Sequence, residues 1–296
     1  MKKILTLLIL MLGISGVQAQ NLGYGFKAGL NFNRFNTDNI RPGEEFVGVT
    51  GFHIGAVFGY KFTDLTGMRA ELLYSVRGGR IRYDNTNNFE NRDAFLLTAE
   101  SGQEFIITGL RQSTLRINNS YIEIPLTFYY KPAKWLEFSV GAQAGVRVAS
   151  TGLGQMIVNG RTELDGQEFD VQQLNFNLEY DFGKDSFEDE VIGAGFIDLA
   201  GERVLVPGTL NAYSEFDEDY GELYETLDYQ LIGGMSLFLN QGLFLGGRVN
   251  VGLKDVTRNE ADRINLITED GTGIESRVQN DIDKNFAVQV SIGFIF

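Results

Sequence analysis

The chain has 296 residues, no cysteine, and a formal net charge of −14 from 39 acidic against 25 basic side chains. The lack of Cys excludes a disulfide framework, a thiolate metal centre, a Cys nucleophile and a lipid anchor on an N-terminal Cys. The acidic balance argues against nucleic acid, whose phosphates must be met by a basic surface; no cofactor is expected.

At the N-terminus Lys2 and Lys3 precede an apolar run, residues 4–14, and then small or polar residues ending Val17-Gln18-Ala19-Gln20. This layout predicts a secretory signal peptide over 1–19, leaving 20–296 as one mature domain. A membrane helix would need about 20 apolar residues, roughly twice the run present.

The remainder reads as β-structure, with 36 Gly, 12 Tyr and 23 Phe against 4 Pro. The first strand, residues 23–33, puts Tyr24, Phe26, Ala28, Leu30 and Phe32 on one face and Gly25, Lys27, Gly29, Asn31 and Asn33 on the other. The second, 50–61, opposes Phe52, Ile54 and Phe58 to Gly51, His53 and Gly55. A tight connection with Asp64 and Gly67 as turn residues leads to the third, 68–80, where Leu72 and Tyr74 oppose Arg69, Glu71 and Arg77. In the fourth, 119–130, Ile122, Ile124, Leu126 and Phe128 oppose Tyr121 and Glu123. Pro125 lacks an amide for the ladder and predicts a bulge or bend.

The fifth strand, 136–148, turns Phe138, Val140, Val146 and Val148 away from Glu137 and Arg147. The sixth and seventh, 226–239 and 242–253, contribute Asp228, Arg248 and Asn250 to the polar face and are joined through Asn240-Gln241, a tight hairpin beside Gly. The last, 285–296, alternates from Phe286 to Phe296. Its apolar face and aromatic end, Phe294 and Phe296, resemble the insertion signal of bacterial outer-membrane barrels.

A strand that is apolar on one face and small or ionised on the other fits a transmembrane barrel, with lipid outside and a polar lumen inside. Such alternation also explains a mean hydropathy of −0.09 in a membrane protein. A lipocalin-like soluble barrel would carry the opposite pattern, apolar inside. Long connections, about 34–49, 81–118, 149–225 and 254–284, alternate strictly with short ones. Alternate links lie on opposite sides of the membrane, so the long ones share the extracellular face and the termini lie in the periplasm. The expected fold is therefore all-β: an eight-stranded antiparallel up-and-down transmembrane β-barrel of the bacterial outer membrane with long, partly β-structured extracellular loops.

Four strand segments also resemble a known family: Gly25-Phe26-Lys27-Ala28-Gly29-Leu30-Asn31, Glu71-Leu72-Leu73-Tyr74-Ser75, Tyr121-Ile122-Glu123-Ile124-Pro125-Leu126 and Gly247-Arg248-Val249-Asn250-Val251-Gly252-Leu253. Together they resemble the PorT-like outer-membrane barrels of Bacteroidota, over the strands, about a third of the chain, and not over the long loops. That resemblance implies an eight-stranded barrel, and its namesake is linked to type IX protein secretion.

An eight-stranded lumen is just wide enough to be filled by side chains, and unpaired buried charges are costly. Lys27, Arg69, Arg77, Arg147 and Arg248 are thus expected to pair with Glu71, Glu123, Glu137 and Asp228 in a structural network; the other reading is a narrow ion path or binding site. His53, the sole histidine, faces inward, but no partner for general-base work is tied to it by spacing. Catalysis is not expected.

Residues 149–225 carry 18 acids against Arg161, Lys184 and Arg203, so this loop accounts for the imbalance of the chain. Its clusters Glu188-Asp189-Glu190 and Asp217-Glu218-Asp219 lack calcium-loop spacing and read as a solvated acidic face. Leu174, Phe176, Leu178, Tyr180 and Phe182 alternate, and residues 197–206 read as a hairpin with a Gly turn, predicting an ordered acidic cap. If one such hairpin spans, the barrel has ten strands. The expected protein is a monomeric, non-enzymatic barrel, inserted into outer-membrane lipid by the barrel-assembly machinery. Its acidic loops bind an envelope protein or an extracellular ligand, and a small porin-like pore or transporter is the alternative.

Overall fold

A computed structural model describes residues 21–38, 40–85, 93–182, 195–210, 221–258, 263–267, 274–278 and 282–296. The signal peptide and both acidic clusters read from the sequence lie outside these. Eight strands pair in a closed antiparallel ring: β1 (Leu22–Asn36), β3 (Val49–Lys61), β4 (Thr66–Asp84), β6 (Glu104–Ala133), β7 (Leu136–Leu164), β12 (Leu227–Phe238), β13 (Leu243–Gly252) and β16 (Lys284–Ile295). The ring closes where β16 pairs with β1, Leu30 opposite Val290 and Phe26 opposite Phe294.

The two faces separate by chemistry. Phe26, Leu30, Phe52, Ile54, Leu72, Ile124, Phe128, Val140, Leu231, Val251, Val290 and Ile292 point outward and are exposed on every strand of the ring. Water would meet a continuous greasy belt, far larger than the apolar patches that monomeric soluble proteins expose. Lys27, His53, Arg69, Glu71, Arg77, Glu123, Glu137, Arg147, Asp228 and Arg248 are buried behind it. Closure leaves no unpaired ring edge, which a hydrocarbon environment requires of β-structure.

At one end the links are short. Residues 62–65 turn on Thr63, whose hydroxyl accepts from the amides of Leu65 and Thr66 at 3.2 and 3.0 Å. Gly67, expected in that turn, is a strand residue paired with Lys61 and Tyr129. Residues 134–135 join β6 to β7. The β12–β13 link has four residues, 239–242, not two, because the Asn240 carboxamide oxygen accepts from the Gly242 and Leu243 amides at 2.9 and 2.7 Å and fixes a longer turn.

At the other end the ring strands do not stop where the sequence suggested. β4 runs on to Asp84, β6 begins at Glu104, and β7 continues to Leu164. β2 (Glu44–Val47) and β5 (Asp93–Thr98) flank these extensions, and β8 (Gln167–Asp181) folds back on β7 through Asp165 and Gly166, both at positive φ. β9 (Gly195–Leu199) and β10 (Glu202–Val206) form the expected hairpin, turning at Ala200 and Gly201. β11 (Thr209–Leu210) pairs with β8, and β14 (Arg263–Ile267) pairs with β15 (Ile274–Val278). β8 lies on the β7 extension and outside the ring.

Register explains why the extensions are hidden. Tyr121 opposes Arg147, yet Ser120 opposes Ala149, so Val148 is an extra residue in β7. This bulge reverses the parity of β7: Glu137 and Arg147 face inward below it, Ser150, Met156 and Val158 above it. Pro125 causes no such shift. It keeps its register opposite Gln143, and only the ladder toward Glu71 and Leu72 of β4 is interrupted.

Candidate functional site: the charged lumen and its cap

The lumen charges are arranged in tiers. Nearest the short turns, Arg69 of β4 reaches past β6 to Glu137 of β7 with parallel bonds of 2.7 and 3.0 Å, its guanidinium 5.3 Å from the Tyr129 ring centre. In the next tier one Glu71 oxygen takes both Lys27 at 2.6 Å and Arg248 at 2.9 Å. Arg248 also donates to Gln289. Above them Arg77 holds Glu123 at 2.7 and 3.1 Å and donates to Gln230. Arg147, topmost, binds Glu222 and the carbonyl of Tyr224 at 2.9 Å.

Eight of the nine predicted charges are thus ion-paired. Asp228 is the exception: it accepts from Asn285 at 2.9 Å and from Gln230, both neutral amides. Glu222, which completes the top tier, comes from the long loop and was not expected. The neutral members Asn31, Gln143, Gln230, Asn250, Asn285, Gln289 and Ser291 were also not assigned to the network, although the inward alternation of their strands was the available signal. Phe294 lies beside Phe296, ring centres 4.8 Å apart, and Phe296 stacks on Tyr24 at the short-turn end.

His53 is buried between Asn31 and Ser291, its Nδ1 2.6 Å from Asn31 Oδ1 and its Nε2 2.8 Å from Ser291 Oγ. The sequence offered no partner because Ser291 is 238 positions away. A hydroxyl–imidazole–amide line has the order of a hydrolytic triad. A reacting carbonyl would also need room beside Ser291 and donors for its oxyanion. The space there is a lumen void of about 30 Å³, enough for one or two waters.

Above the ring, the extensions of β6 and β7 with β5 and β8 build a sheet with its own apolar core: Phe105, Ile107, Met156, Val158, Leu174, Phe176 and Leu178, closed by Leu199 and Val204 of the β9–β10 hairpin. A second cluster, Phe35, Ile117, Phe182, Leu223, Tyr224 and Val256, gathers residues from β1 and β6 and from the segments that follow β8, precede β12 and follow β13. At the side of the cap, Asp93 is held by Arg41 and Arg111. Both guanidiniums lie over the Tyr83 ring, at 4.2 and 4.6 Å. Burial and the Asp93 carboxylate, 3.5 Å from its hydroxyl, raise the Tyr83 phenol above its usual value. Among the described residues no cluster of three or more His, Asp or Glu could hold a metal ion.

No curated protein matches the chain. Among solved structures it is similar to Ail, the attachment invasion locus protein of Yersinia pestis, at 8% identity and a TM-score of 0.33, covering 93% of this chain and 99% of that one. It is similar to Neisserial surface protein A at 8% identity and 0.30, covering 92% and 96%. OprG from Pseudomonas aeruginosa matches at 8% and 0.30, covering 93% and 95%. At these scores the likenesses carry no argument about function. The family model described as "Outer membrane protein beta-barrel domain" matches residues 18–258. With greasy strands outside a closed ring and ionised residues inside it, the chain belongs to the outer membrane protein beta-barrel domain family and resides in the bacterial outer membrane.

Proposed function

We propose that the protein is a non-enzymatic, monomeric binding component of the outer membrane, whose eight ring strands cross the bilayer and whose cap stands outside the cell as the recognition surface. The observation that carries this reading is the division of labour between lumen and cap. The lumen is occupied by paired Arg, Lys and Glu side chains, whereas the cap is ordered by an apolar core that the barrel does not need for closure. An independently packed superstructure on a filled cylinder favours binding over transport.

The loop from 149 to 225, with 18 acids and three cations, favours a partner that presents basic groups. The strand motifs similar to PorT-like barrels support an envelope partner, with type IX secretion as the more specific form of that role. Replacing residues 165–220 by a short Gly-Ser turn is expected to leave heat-modifiable gel mobility intact and to abolish partner capture in native co-purification. Unchanged capture would remove the cap from the function. The small-pore reading is tested separately in planar bilayers, where a filled lumen is silent and stepwise conductance would favour transport.

A further inference from the structure

The lower lumen holds more positive charge than its carboxylates balance. Lys27, Arg69 and Arg248 share two acids, Glu71 and Glu137, and all five are buried. Lys27 and Arg248 converge on a single Glu71 oxygen, which leaves one cation in excess. A charge of that kind, removed from water, is costly unless an opposite charge lies nearby or, for the lysine, the ammonium gives up its proton.

The same three cations line the void of about 30 Å³, together with Glu71 and the hydroxyl-bearing Ser236; Ser291 also lines it but gives its hydroxyl proton to His53. Two of its guanidinium nitrogens, Arg69 Nε and Arg248 Nη2, have no hydrogen-bond partner among the described residues. Their side chains are 8% and 9% exposed. Local positive charge, two unused N–H donors and the Ser236 hydroxyl around a space of one or two water volumes are what a compact anion requires. A compact anion fits that space better than an organic carboxylate or a phosphoryl ligand.

We propose that the lumen is a binding site for one monatomic anion of the chloride class, held between Arg69, Arg248 and Lys27 as an integral part of the barrel's charge network. The anion offsets the excess cation of these two lower tiers. The site is separate from the cap and does not depend on what the cap binds.

The test uses the full mature chain refolded into detergent in chloride, bromide or gluconate at equal ionic strength. The expected result is a heat-modification midpoint several degrees higher in either halide, saturating with halide concentration as site binding does. Crystals grown from the bromide sample should show an anomalous peak between Arg69 and Arg248. Two variants act by different means. Ser236→Asp supplies the missing negative charge, and Gly246→Ala places a methyl in the void, 3.4 Å from Ser236 Oγ. Both should fold and both should lose the difference between halide and gluconate. Equal midpoints in all three salts, a halide effect that persists in both variants, or bromide-grown crystals with only water between the two arginines would each overturn the proposal.

Discussion

Arg69 and Glu137 meet across the lumen from strands that are not neighbours, joined by two parallel hydrogen bonds of 2.7 and 3.0 Å over the intervening β6. The pair is a strut between walls of the cylinder. Its value depends on both ends being present, because each ion is buried and a lone survivor has no water to turn to.

Glu137→Gln or Arg69→Met alone should therefore destabilise the barrel by about 3–5 kcal/mol. The double variant Arg69→Met with Glu137→Leu should recover most of that loss. Urea unfolding of the detergent-refolded protein measures both, and additive losses in the double variant would show that the pair is not coupled.

Val290 lies outward, 52% exposed, near the middle of β16, while its neighbour Gln289 is buried in the lumen. Val290→Arg should cost about 2–4 kcal/mol if the residue faces the centre of a bilayer. The same change at Leu96, exposed on the cap, should cost little. Folding yields into lipid vesicles separate the two sites.

The cap core rests on Ile107, fully buried against the β7, β8 and hairpin side chains. Ile107→Ala should weaken the cap by about 2–5 kcal/mol. Limited proteolysis should then cut within 195–206 sooner, while heat-modifiable mobility of the barrel stays as it was. A barrel that melted together with the cap would mean that the two fold as one unit.

Tyr83 is held protonated by burial and by the Asp93 carboxylate. Its folded pKa lies above the unfolded one, so its contribution to cap stability is full below about pH 10, the ordinary tyrosine value, and falls as pH rises through the folded pKa. Alkaline titration followed by ultraviolet absorbance should show the number of late-titrating phenols fall by one in Tyr83→Phe. An unchanged number would mean that Tyr83 is not one of them.

The eight ring strands were legible because their alternation is strict and needs only local residues. Leu30 and Lys27, or Ile124 and Glu123, declare their faces by chemistry alone. The extensions were not. Val148 adds one residue to β7 and flips its parity, so the pattern that ends at Arg147 resumes out of phase at Ser150. The alternation from Leu174 to Phe182 marks β8 as β-structure, but the Asp165-Gly166 turn that joins it to β7 stands inside a stretch that the rule of long connections assigns to a loop. Pro125 misled in the other direction, since interrupting one ladder was enough and no bulge formed.

The inward charges could be named from the sequence but not matched. Lys27 with Glu71, or Arg69 with Glu137, are partners only once the ring closes, and His53 met Ser291 across 238 positions for the same reason. Local periodicity decides which way a side chain points, since successive residues of a strand face opposite sides. Only the closed ring, with its registers fixed by hydrogen bonds between distant segments, decided which charges share a tier, and so where two cations share one carboxylate.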